Sequence, residues 1–346
     1  MAFHVTVRPA NHEFTVEDEE TVLEAALRQG FAFPYGCRNG ACGSCKGRVL
    51  SGEVSYGPKR PPGLSEQDAA AGFALFCQAV PIDDLEIEVR QIGAARDIVI
   101  KTMPCRVAKR TALAPDVMEL RLQLPATERL QFLAGQFLDI LLKGGDRRSY
   151  SLANAPHDDQ HLVLHIKHVP GGRFSDNVFG EMKEKALLRI EGPLGSFIVD
   201  EESDRPRLFV GGGTGFAPLK GMIDHLVEQG LEQPIHLFWG ARDAAGIYAP
   251  EWLREQAERV GKNFRFTPVL SETGSAEVAG FSAESGWLHD AVLADYPDLS
   301  GFDVYMAGPP PMIHAAKTAF ISAGLPEDRL FYDSFEPAAQ PEAVPG

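Results

Sequence analysis

The stretch Tyr35-Gly36-Cys37-Arg38-Asn39-Gly40-Ala41-Cys42-Gly43-Ser44-Cys45 contains the pattern C-x4-C-x2-C, and a fourth cysteine, Cys77, follows after 31 residues. This is the spacing of the four thiolate ligands of a [2Fe-2S] cluster. Gly36, Gly40, Gly43 and Gly47 lie among the cysteines, so backbone amides can approach the sulfurs and hydrogen-bond to them. Cys37, Cys42, Cys45 and Cys77 are therefore predicted to bind such a cluster, and electron transfer is the first functional hypothesis.

Two other uses of cysteine fit the sequence less well. Structural zinc usually takes paired C-x2-C or Cys/His knuckles, and only Cys42 and Cys45 form such a pair, with the histidines outside the loop. A disulfide framework is typical of small secreted chains, whereas this chain has 5 cysteines in 346 residues and begins with no apolar signal segment. The fifth cysteine, Cys105, is expected to pack as a small apolar side chain.

The composition is typical of a multidomain globular protein. A length of 346 residues fits three domains better than one core. No run of about 20 apolar residues occurs, so we expect no membrane segment and a cytoplasmic location. With 33 basic and 48 acidic residues, the net charge of −15 argues against nucleic acid or an anionic membrane as partner and favours a partner with a basic docking face. The acidic run from Glu17 to Glu20 is interpreted mainly as the solvated start of a helix.

Hydrophobic patterning divides the chain into three blocks. Residues 1–93 predict a small α+β domain with strands at 4–8, 13–16, 46–50 and 85–90 and one helix at 21–29. Residues 98–200 contain strand-like runs such as 117–124, 137–142 and 162–169, which predict an antiparallel β-barrel. Residues 205–336 alternate strand and helix, which predicts an α/β domain with a parallel sheet. Residues 337–346 are expected to be a disordered tail.

Two further glycine turns are candidate phosphate-binding sites. The first, Val210–Pro218, contains Gly212, Gly213, Thr214 and Gly215 between a predicted strand and a helix, where bare amides and the helix dipole can bind a pyrophosphate. It departs from G-x-G-x-x-G and lacks the lysine of an NTP-binding loop, so a purely structural turn is the alternative. The second, Pro170–Ser175, follows the run Arg147–Leu152. Together the two segments could bind a phosphorylated aromatic ligand. Their arginines can pair with phosphate, while Tyr150 stacks on the aromatic ring and Ser151 donates to a ring nitrogen.

In their order along the chain, these signals resemble the iron-sulfur flavoprotein reductases of the ferredoxin-NADP reductase superfamily that carry an N-terminal ferredoxin domain. The R-x-Y-S pattern of that family is matched by Arg148, Tyr150 and Ser151, and its G-P-P-P-M turn by Gly308 to Met312. Within the superfamily the chain is similar to reductases of bacterial oxygenases and to CDP-6-deoxy-glucoseen reductases, which serve a deoxysugar dehydrase. The resemblance implies a β-grasp ferredoxin fold for the first block, FAD bound to the barrel, and NAD(P)H bound to the parallel sheet.

The resemblance also assigns residues to each cofactor. Ser151, Tyr150 and Phe335 are the candidate catalytic residues. The expected flavin and nucleotide contacts are Arg148, Ser149, Tyr150, Ser151, His165, Lys167, Gly171, Gly172, Arg173, Ser175, Gly212, Gly213, Thr214, Gly215, Arg242, Asp243, Gly308, Pro309, Asp333 and Phe335. Many relatives carry a cysteine immediately before G-P-P, where this chain has Ala307. Whether Asp333 or Glu336 is the acidic residue near the flavin is left open.

Coupling a hydride donor to a one-electron cluster requires a carrier that stores two electrons and releases them singly, which is what a flavin does. Ser151 is expected near flavin N5 and Arg148 on the diphosphate. Asp243 could bind a ribose hydroxyl, as NADH requires, and Arg242 could equally bind the 2′-phosphate of NADPH. The residues therefore leave both donors open, and NADH is expected from the resemblance.

The sequence leaves the terminal acceptor open between an oxygenase component and a dehydrase component. It also leaves the oligomeric state open. A dehydrogenase acting directly on a small molecule, with the cysteine domain structural or regulatory, is the alternative from a different class. A pure electron carrier is disfavoured by the two phosphate-binding turns.

Overall fold

The structure is a computed structural model that describes residues 2–9, 11–31, 33–89, 98–230, 232–272 and 277–336. The chain divides into two compact units. The first comprises residues up to Ile98 together with Gly195–Phe197, and the second comprises Val99–Leu194 and Ile198–Phe335. The predicted tail at 337–346, and Arg90 at the end of a predicted strand, lie outside the described residues.

The first unit is a mixed sheet with strand order β2-β1-β7-β3-β5, in which β1 and β7 are parallel and the other pairs are antiparallel. Its elements are β1 (Phe3–Arg8), β2 (His12–Val16), α1 (Val22–Arg28), β3 (Lys46–Ser51), β4 (Val54–Ser55), α2 (Glu66–Ala70), β5 (Phe73–Leu75), β6 (Val80–Pro81) and β7 (Leu85–Glu88). This topology confirms the predicted α+β ferredoxin fold. The short helix α2 was not predicted, because five residues are too few to show a helical period.

Helix α1 has a sequence-encoded start and is fixed to the cysteine region. Thr21 is its N-cap and forms a capping box with Glu24. The amides of Val22 and Leu23 donate to the carbonyls of Ala79 and Phe76, which flank Cys77. The loop's other end is also bound, since Ser196 Oγ accepts from Tyr35 N (2.6 Å) and donates to Tyr35 O (2.9 Å). Both ends of the cysteine region are therefore bound to the rest of the unit.

The second unit begins with the predicted antiparallel barrel, of strand order β11-β10-β13-β8-β9-β12. Its elements are β8 (Lys101–Ala114), β9 (Val117–Gln123), β10 (Phe137–Leu141), β11 (Arg147–Ser151), β12 (Leu162–Lys167), α3 (Arg173–Phe179) and β13 (Leu187–Leu194). An antiparallel bridge between Leu152 and Leu164 joins the two ends of the sheet and closes it. Cys105 is buried in the barrel core, as predicted for a small apolar side chain. Helix α3 was not predicted, because seven residues after a glycine turn are too few to show a helical period.

The second unit continues as an all-parallel sheet of order β19-β16-β15-β14-β20-β21, which confirms the predicted α/β domain. Its elements are β14 (Arg207–Gly212), α4 (Phe216–Glu228), β15 (Ile235–Ala241), α5 (Pro250–Val260), β16 (Phe264–Leu270), β17 (Glu277–Val278), β18 (Phe281–Ser282), β19 (Glu284–Ser285), α6 (Leu288–Asp295), β20 (Asp303–Gly308), α7 (Pro310–Ser322) and β21 (Leu330–Ser334). The strand order reverses between β14 and β20, and ligands of such sheets bind at the carboxyl ends beside that point. Within the described residues no helix is long and apolar enough to cross a membrane.

Candidate functional site

The four predicted ligand cysteines form two pairs of sulfurs in the first unit. Cys37 N donates to Cys42 Sγ (3.4 Å), and Cys42 N donates to Cys37 Sγ (3.3 Å). Cys45 and Cys77 form the second pair, in which one thiol hydrogen-bonds to the other. The first pair is partly exposed and the second is buried, and none of these cysteines forms a disulfide. The hydrogen bond from the Cys42 thiol lowers the pKa of Cys37 to about 6, which favours a thiolate.

Pairing of the thiols fits a two-iron cluster, in which each iron takes two cysteine ligands. Among the described residues, no group of three or more His, Cys, Asp or Glu side chains surrounds one metal-ion position. The two pairs of thiols therefore fit a [2Fe-2S] cluster.

Glycines in the cysteine loop allow its conformation, although not all for the reason predicted. Gly40 and Gly43 have φ of 78°, in the left-handed region that favours glycine. The amide of Ser44, which follows Gly43, donates to Cys42 Sγ (3.5 Å), as expected for a loop that hydrogen-bonds to cluster sulfurs. Gly47 has another function, because a Cβ there would lie 2.2 Å from the Phe76 ring. Its lack of a side chain leaves room for a core aromatic ring.

On the barrel, the predicted flavin residues of β11 meet the second glycine turn. The Tyr150 ring packs against Phe174 of α3 with ring centroids 5.5 Å apart, and burial raises the tyrosine pKa. Arg148 lies on the same face of the strand as Tyr150 and is only half-buried, with its guanidinium donating to Arg147 O (2.7 Å). Gly171 has φ of 80° and open space where a Cβ would be. An aromatic ring, a guanidinium and an open turn are thus in place for a flavin nucleotide.

Three other predicted flavin residues already have partners within the protein. Ser175 Oγ donates to Val169 O (3.0 Å) and accepts from Val169 N (3.2 Å), so it closes the turn. Arg173 forms an ion pair with Asp146 and donates to Lys143 O (3.1 Å). Ser149 Oγ donates to Asp139 Oδ1 (2.6 Å). Their predicted contacts with the flavin stay predictions.

Ser151 links the barrel to the parallel sheet. It is buried at the end of β11, and its Oγ donates to Asp333 Oδ2 (3.3 Å), 182 residues later in the chain. Asp333 lies in β21 beside Ala307 of β20, and Phe335 N donates to Gly308 O (3.0 Å). Three segments that the sequence analysis singled out therefore meet at one junction. They are the end of the R-x-Y-S run, the G-P-P-P-M turn and the Asp333-Ser334-Phe335 segment.

A cavity of about 810 Å³ lies at the carboxyl ends of the parallel strands. Residues that follow β14, β15, β16 and β20 line it, including Gly212, Gly213, Arg242, Asp243, Ser271 and Pro309. Thr214 and Gly215 complete the turn that leads into α4. The cavity sits beside the point where strand order reverses, and its volume suits a dinucleotide. The residues present therefore fit a nicotinamide cofactor.

Barrel residues reach the same cavity. Asp116, in the turn between β8 and β9, forms an ion pair with Lys167 of β12 and lies 3.6 Å from Arg242 Nη2. Asp243 accepts from Ala245 N (3.1 Å) and caps a short 3-10 helix. Lys167, one of the predicted cofactor contacts, lines this cavity. The sequence analysis missed Asp116. It belongs to no motif, and its contact with Arg242 joins two turns that are far apart in the chain.

His165 is buried between the barrel and the parallel sheet. Its Nδ1 lies 3.1 Å from Tyr248 Oη, and its ring lies beside Phe216, which stacks on Trp239 with ring centroids 3.8 Å apart. Burial lowers the pKa of His165 to about 3, so the ring is neutral. It does not line the cavity, and its predicted cofactor contact stays a prediction.

Two glycines of the second unit are required by close backbone contacts. A Cβ at Gly221 of α4 would lie 3.0 Å from Asn154 O and 3.2 Å from Leu152 O, so this glycine lets α4 pack against the residues that follow Ser151. A Cβ at Gly215 would lie 1.9 Å from Ala307 O. Gly221 escaped the sequence analysis, since a glycine inside a helix gives no sign of its contact.

Comparisons with known proteins agree with this arrangement. Three family models match: the 2Fe-2S iron-sulfur cluster binding domain over residues 5–81, the oxidoreductase FAD-binding domain over 104–198, and the oxidoreductase NAD-binding domain over 209–318. The chain is 38% identical over 341 residues to the CDP-6-deoxy-L-threo-D-glycero-4-hexulose-3-dehydrase reductase of Yersinia pestis, covering 98% of this chain and 100% of that one. It is 32% identical to the terephthalate 1,2-dioxygenase reductase component 1 of Comamonas sp., covering 94% and 97%.

A solved structure is similar over the same length. The cytochrome P450 reductase GcoB of Amycolatopsis superposes with a TM-score of 0.80 at 34% identity, covering 97% of this chain and 100% of that one. The similarity spans all three blocks of the sequence.

Proposed function

Since the chain belongs to the iron-sulfur flavoprotein reductases of the ferredoxin-NADP reductase superfamily, we propose that it passes electrons from NADH to a separate acceptor protein. The class is that of an NAD(P)H-dependent oxidoreductase with FAD and a [2Fe-2S] cluster. When bound, the flavin takes up a hydride and releases electrons one at a time to the cluster. The observation that carries the proposal is that two thiol pairs, a flavin-type turn and a dinucleotide cavity occur in one chain.

Arg148 and Tyr150 are assigned to the flavin, with the guanidinium on a phosphate and the phenol ring on the aromatic system. The Ser151 hydroxyl is assigned to the reactive flavin nitrogen. Asp333 accepts a hydrogen bond from Ser151 and orients it. Because Phe335 follows in the same segment, it is assigned to the face where the nicotinamide approaches the flavin. Cys37, Cys42, Cys45 and Cys77 are assigned as the cluster ligands.

NADH is assigned as the donor because of the charges at the cavity. Asp116 lies 3.6 Å from Arg242 and also pairs with Lys167, so one carboxylate faces both cations. A 2′-phosphate would have to approach this carboxylate to reach Arg242, which disfavours NADPH. Asp243 is assigned to accept from a ribose hydroxyl, as an acidic residue after the second strand does in other dinucleotide sites.

The acceptor is assigned to the oxygenase or dehydrase components of multicomponent systems. Relatives of both kinds align over nearly the full chain, at 38% identity for a dehydrase reductase and 32% for a dioxygenase reductase. A cytoplasmic location is assigned because four cysteines are assigned to an iron-sulfur cluster and none of the five forms a disulfide, as is usual in a reducing compartment.

An anaerobic titration of the purified holoprotein with NADH, and separately NADPH, tests the electron path. The flavin absorbance should bleach and a [2Fe-2S] signal should appear in low-temperature EPR, with NADH more effective. Cys42→Ala should abolish the EPR signal and leave flavin reduction intact, whereas Ser151→Ala should slow flavin reduction about tenfold or more and leave the cluster intact. Flavin bleaching without a cluster signal in the wild type would reduce the protein to a flavin reductase.

The alternative function is a dehydrogenase that acts directly on a small molecule, with the cysteine unit structural or regulatory. Under that reading, loss of the cluster in Cys42→Ala would leave turnover unchanged. Under the proposed function, it abolishes electron delivery to an added oxygenase or dehydrase component. Assaying both acceptor classes with the same preparation decides between them.

A further inference from the structure

Trp239 is a fully buried side chain that reaches the nucleotide turn from inside the protein. It lies on β15 opposite Gly211 of β14, and its indole Nε1 donates to the carbonyl of Gly213 (2.9 Å). Gly213 lines the cavity at the carboxyl ends of the strands. The indole therefore binds the turn on the side that faces the protein interior, while the cavity lies on the other side of the turn.

Two aromatic side chains fix the orientation of this indole. Phe216, the first residue of α4, stacks on Trp239 with ring centroids 3.8 Å apart and an angle of 9° between the ring planes. The ring of Tyr248 is nearly perpendicular to the indole, with centroids 4.8 Å apart at 87°. Close packing against both rings leaves the indole little freedom to rotate, so its N–H group has a fixed direction.

The conformation of Gly213 makes this hydrogen bond important. Its φ is 55°, in the left-handed region, and no atom lies within 4 Å of the position that a Cβ would take. A glycine in such an open position meets little steric resistance when the peptide group that follows it rotates. The Gly213 carbonyl also accepts from Phe216 N at the start of α4. One donor from the helix and one from the sheet therefore hold this peptide group.

The direction of the Gly213 carbonyl determines the direction of the next amide. Because a peptide bond is planar and trans, the C=O of Gly213 and the N–H of Thr214 point in opposite directions. Trp239 holds the carbonyl towards the interior, so the Thr214 amide is directed away from the interior. If the peptide rotated, a carbonyl oxygen would replace an N–H donor on the side where an anion binds, and the oxygen would repel a phosphate.

We propose that Trp239 is a positioning residue for the dinucleotide, which holds the Gly213 carbonyl inside the protein and so keeps the Thr214 amide available to the diphosphate. This inference rests on the proposed function and adds to it a residue that acts on the nucleotide through the turn. Loss of the indole N–H should weaken the binding of every ligand that carries the diphosphate.

Trp239→Phe tests the hydrogen bond, because phenylalanine keeps an aromatic ring beside Phe216 and removes the N–H donor. Trp252→Phe is the matched control. Trp252 also packs against Phe216, with ring centroids 5.1 Å apart, but its Nε1 donates to Asp224 Oδ1 (2.7 Å) in α4 and not to the turn. Each substitution removes one indole and one hydrogen bond from the same aromatic cluster, and only the first should change nucleotide affinity.

Affinity is measured on the oxidised holoprotein by isothermal titration calorimetry with NAD⁺ and with ADP-ribose, which has the same diphosphate and no nicotinamide. Trp239→Phe should weaken both ligands by a similar factor of about five to ten, as expected for one hydrogen bond. Trp252→Phe should bind both within twofold of the wild type. In flavin reduction by NADH, Trp239→Phe should raise KM and leave kcat nearly unchanged. Weaker binding of NAD⁺ alone would place the effect at the nicotinamide and overturn the inference.

A measurement on the wild type keeps the test valid if Trp239→Phe does not fold. The chain has 3 tryptophans, and ¹⁵N labelling of the indoles gives one N–H signal for each in an NMR spectrum. ADP-ribose should shift the signal of Trp287, which lines the cavity, and the signal of Trp239, which is bonded to the turn. The Trp252 signal should stay in place. If the Trp239 signal moves no more than that of Trp252, the positioning role is wrong.

The wild type also separates this inference from the proposed function. If the wild-type holoprotein binds neither NAD⁺ nor ADP-ribose, the proposed function itself is refuted. If the wild type binds both and a folded Trp239→Phe variant binds them equally tightly, the proposed function stands and only the role of Trp239 is overturned.

Discussion

Gly215→Ala should be far more damaging than Gly213→Ala, although both glycines belong to the same nucleotide turn. Gly215 has φ of −57°, which any residue adopts, so alanine adds no backbone strain there. Its Cβ would, however, lie 1.9 Å from Ala307 O and 2.4 Å from Ala307 C. Gly213 has the opposite properties, with φ of 55° and no atom within 4 Å of a Cβ. The pair separates steric overlap from backbone strain.

The loss of folding free energy expected for Gly215→Ala follows from the position of Ala307. Ordinary contacts begin at 3.4 Å, so β20 and the turn would have to separate by about 1.5 Å. Ala307 is held between Gly211 of β14 and Asp333 of β21, and such a shift breaks ladder hydrogen bonds. Overpacking of about 1–3 kcal/mol and about two lost hydrogen bonds of 1 kcal/mol each give roughly 3–5 kcal/mol. For Gly213→Ala, left-handed strain alone costs about 1 kcal/mol.

Urea unfolding followed by tryptophan fluorescence measures the difference, because all 3 tryptophans of the chain, Trp239, Trp252 and Trp287, belong to the parallel-sheet part of the second unit. Both variants are compared with FAD at saturation. Gly215→Ala should also slow flavin reduction, since displacing Ala307 moves Asp333 away from Ser151. If the two variants unfold within 1 kcal/mol of each other, the close contact is not what requires glycine at 215.

Two further predictions concern charge. Asp116→Asn should raise the ratio of kcat/KM for NADPH to kcat/KM for NADH about tenfold, because the substitution frees Arg242 to bind a 2′-phosphate. One charge-assisted hydrogen bond contributes about 1.5 kcal/mol, which corresponds to that factor. An unchanged ratio would show that Asp116 does not take part in nucleotide selection. His165 and His236 each have a pKa lowered to about 3 by burial, against about 6.5 when unfolded, so their stabilising effect is full above pH 6.5 and falls as the pH drops towards 3. Urea midpoints at pH 7.5 and 5.5 should show a loss of about 1.4 kcal/mol per histidine, and His236→Gln should show about half the total loss; equal pH dependence in the two proteins would contradict this origin.

The parts of the fold that were predicted correctly have strong local signals. Strand β16, one of the predicted strands of the alternating block, runs from Phe264 to Leu270 and is buried at every position except Arg265. Such burial is typical of a strand in a parallel sheet. Helix α1 was predicted at 21–29 and runs from Val22 to Arg28, and its start is fixed by a capping box of Thr21 and Glu24 that the prediction did not use. Helix α3, at 173–179, was missed because seven residues after a glycine turn give too few positions to distinguish a helix from a strand.

The residues of the candidate site also fall into those with a local sequence signal and those whose contacts join distant parts of the chain. The spacing of the cysteines specifies a loop, in which the Cys37 and Cys42 sulfurs each accept a hydrogen bond from the other residue's amide. The contact between Ser151 and Asp333 joins residues 182 positions apart. Only resemblance to a family could suggest it, and neither residue alone carries a signal. Asp116 had no such resemblance to reveal it, and its role depends on closure of the barrel against the parallel sheet.

The charge of the whole chain and the charge near the cluster act on an approaching partner over different distances. The net charge of −15 favoured a partner with a basic face. At physiological salt, however, the field of an exposed charge decays over about 8 Å, so carboxylates far from the cluster contribute little to docking there. The sign of the local charge, and not of the total, should therefore determine which acceptor the cluster can reach.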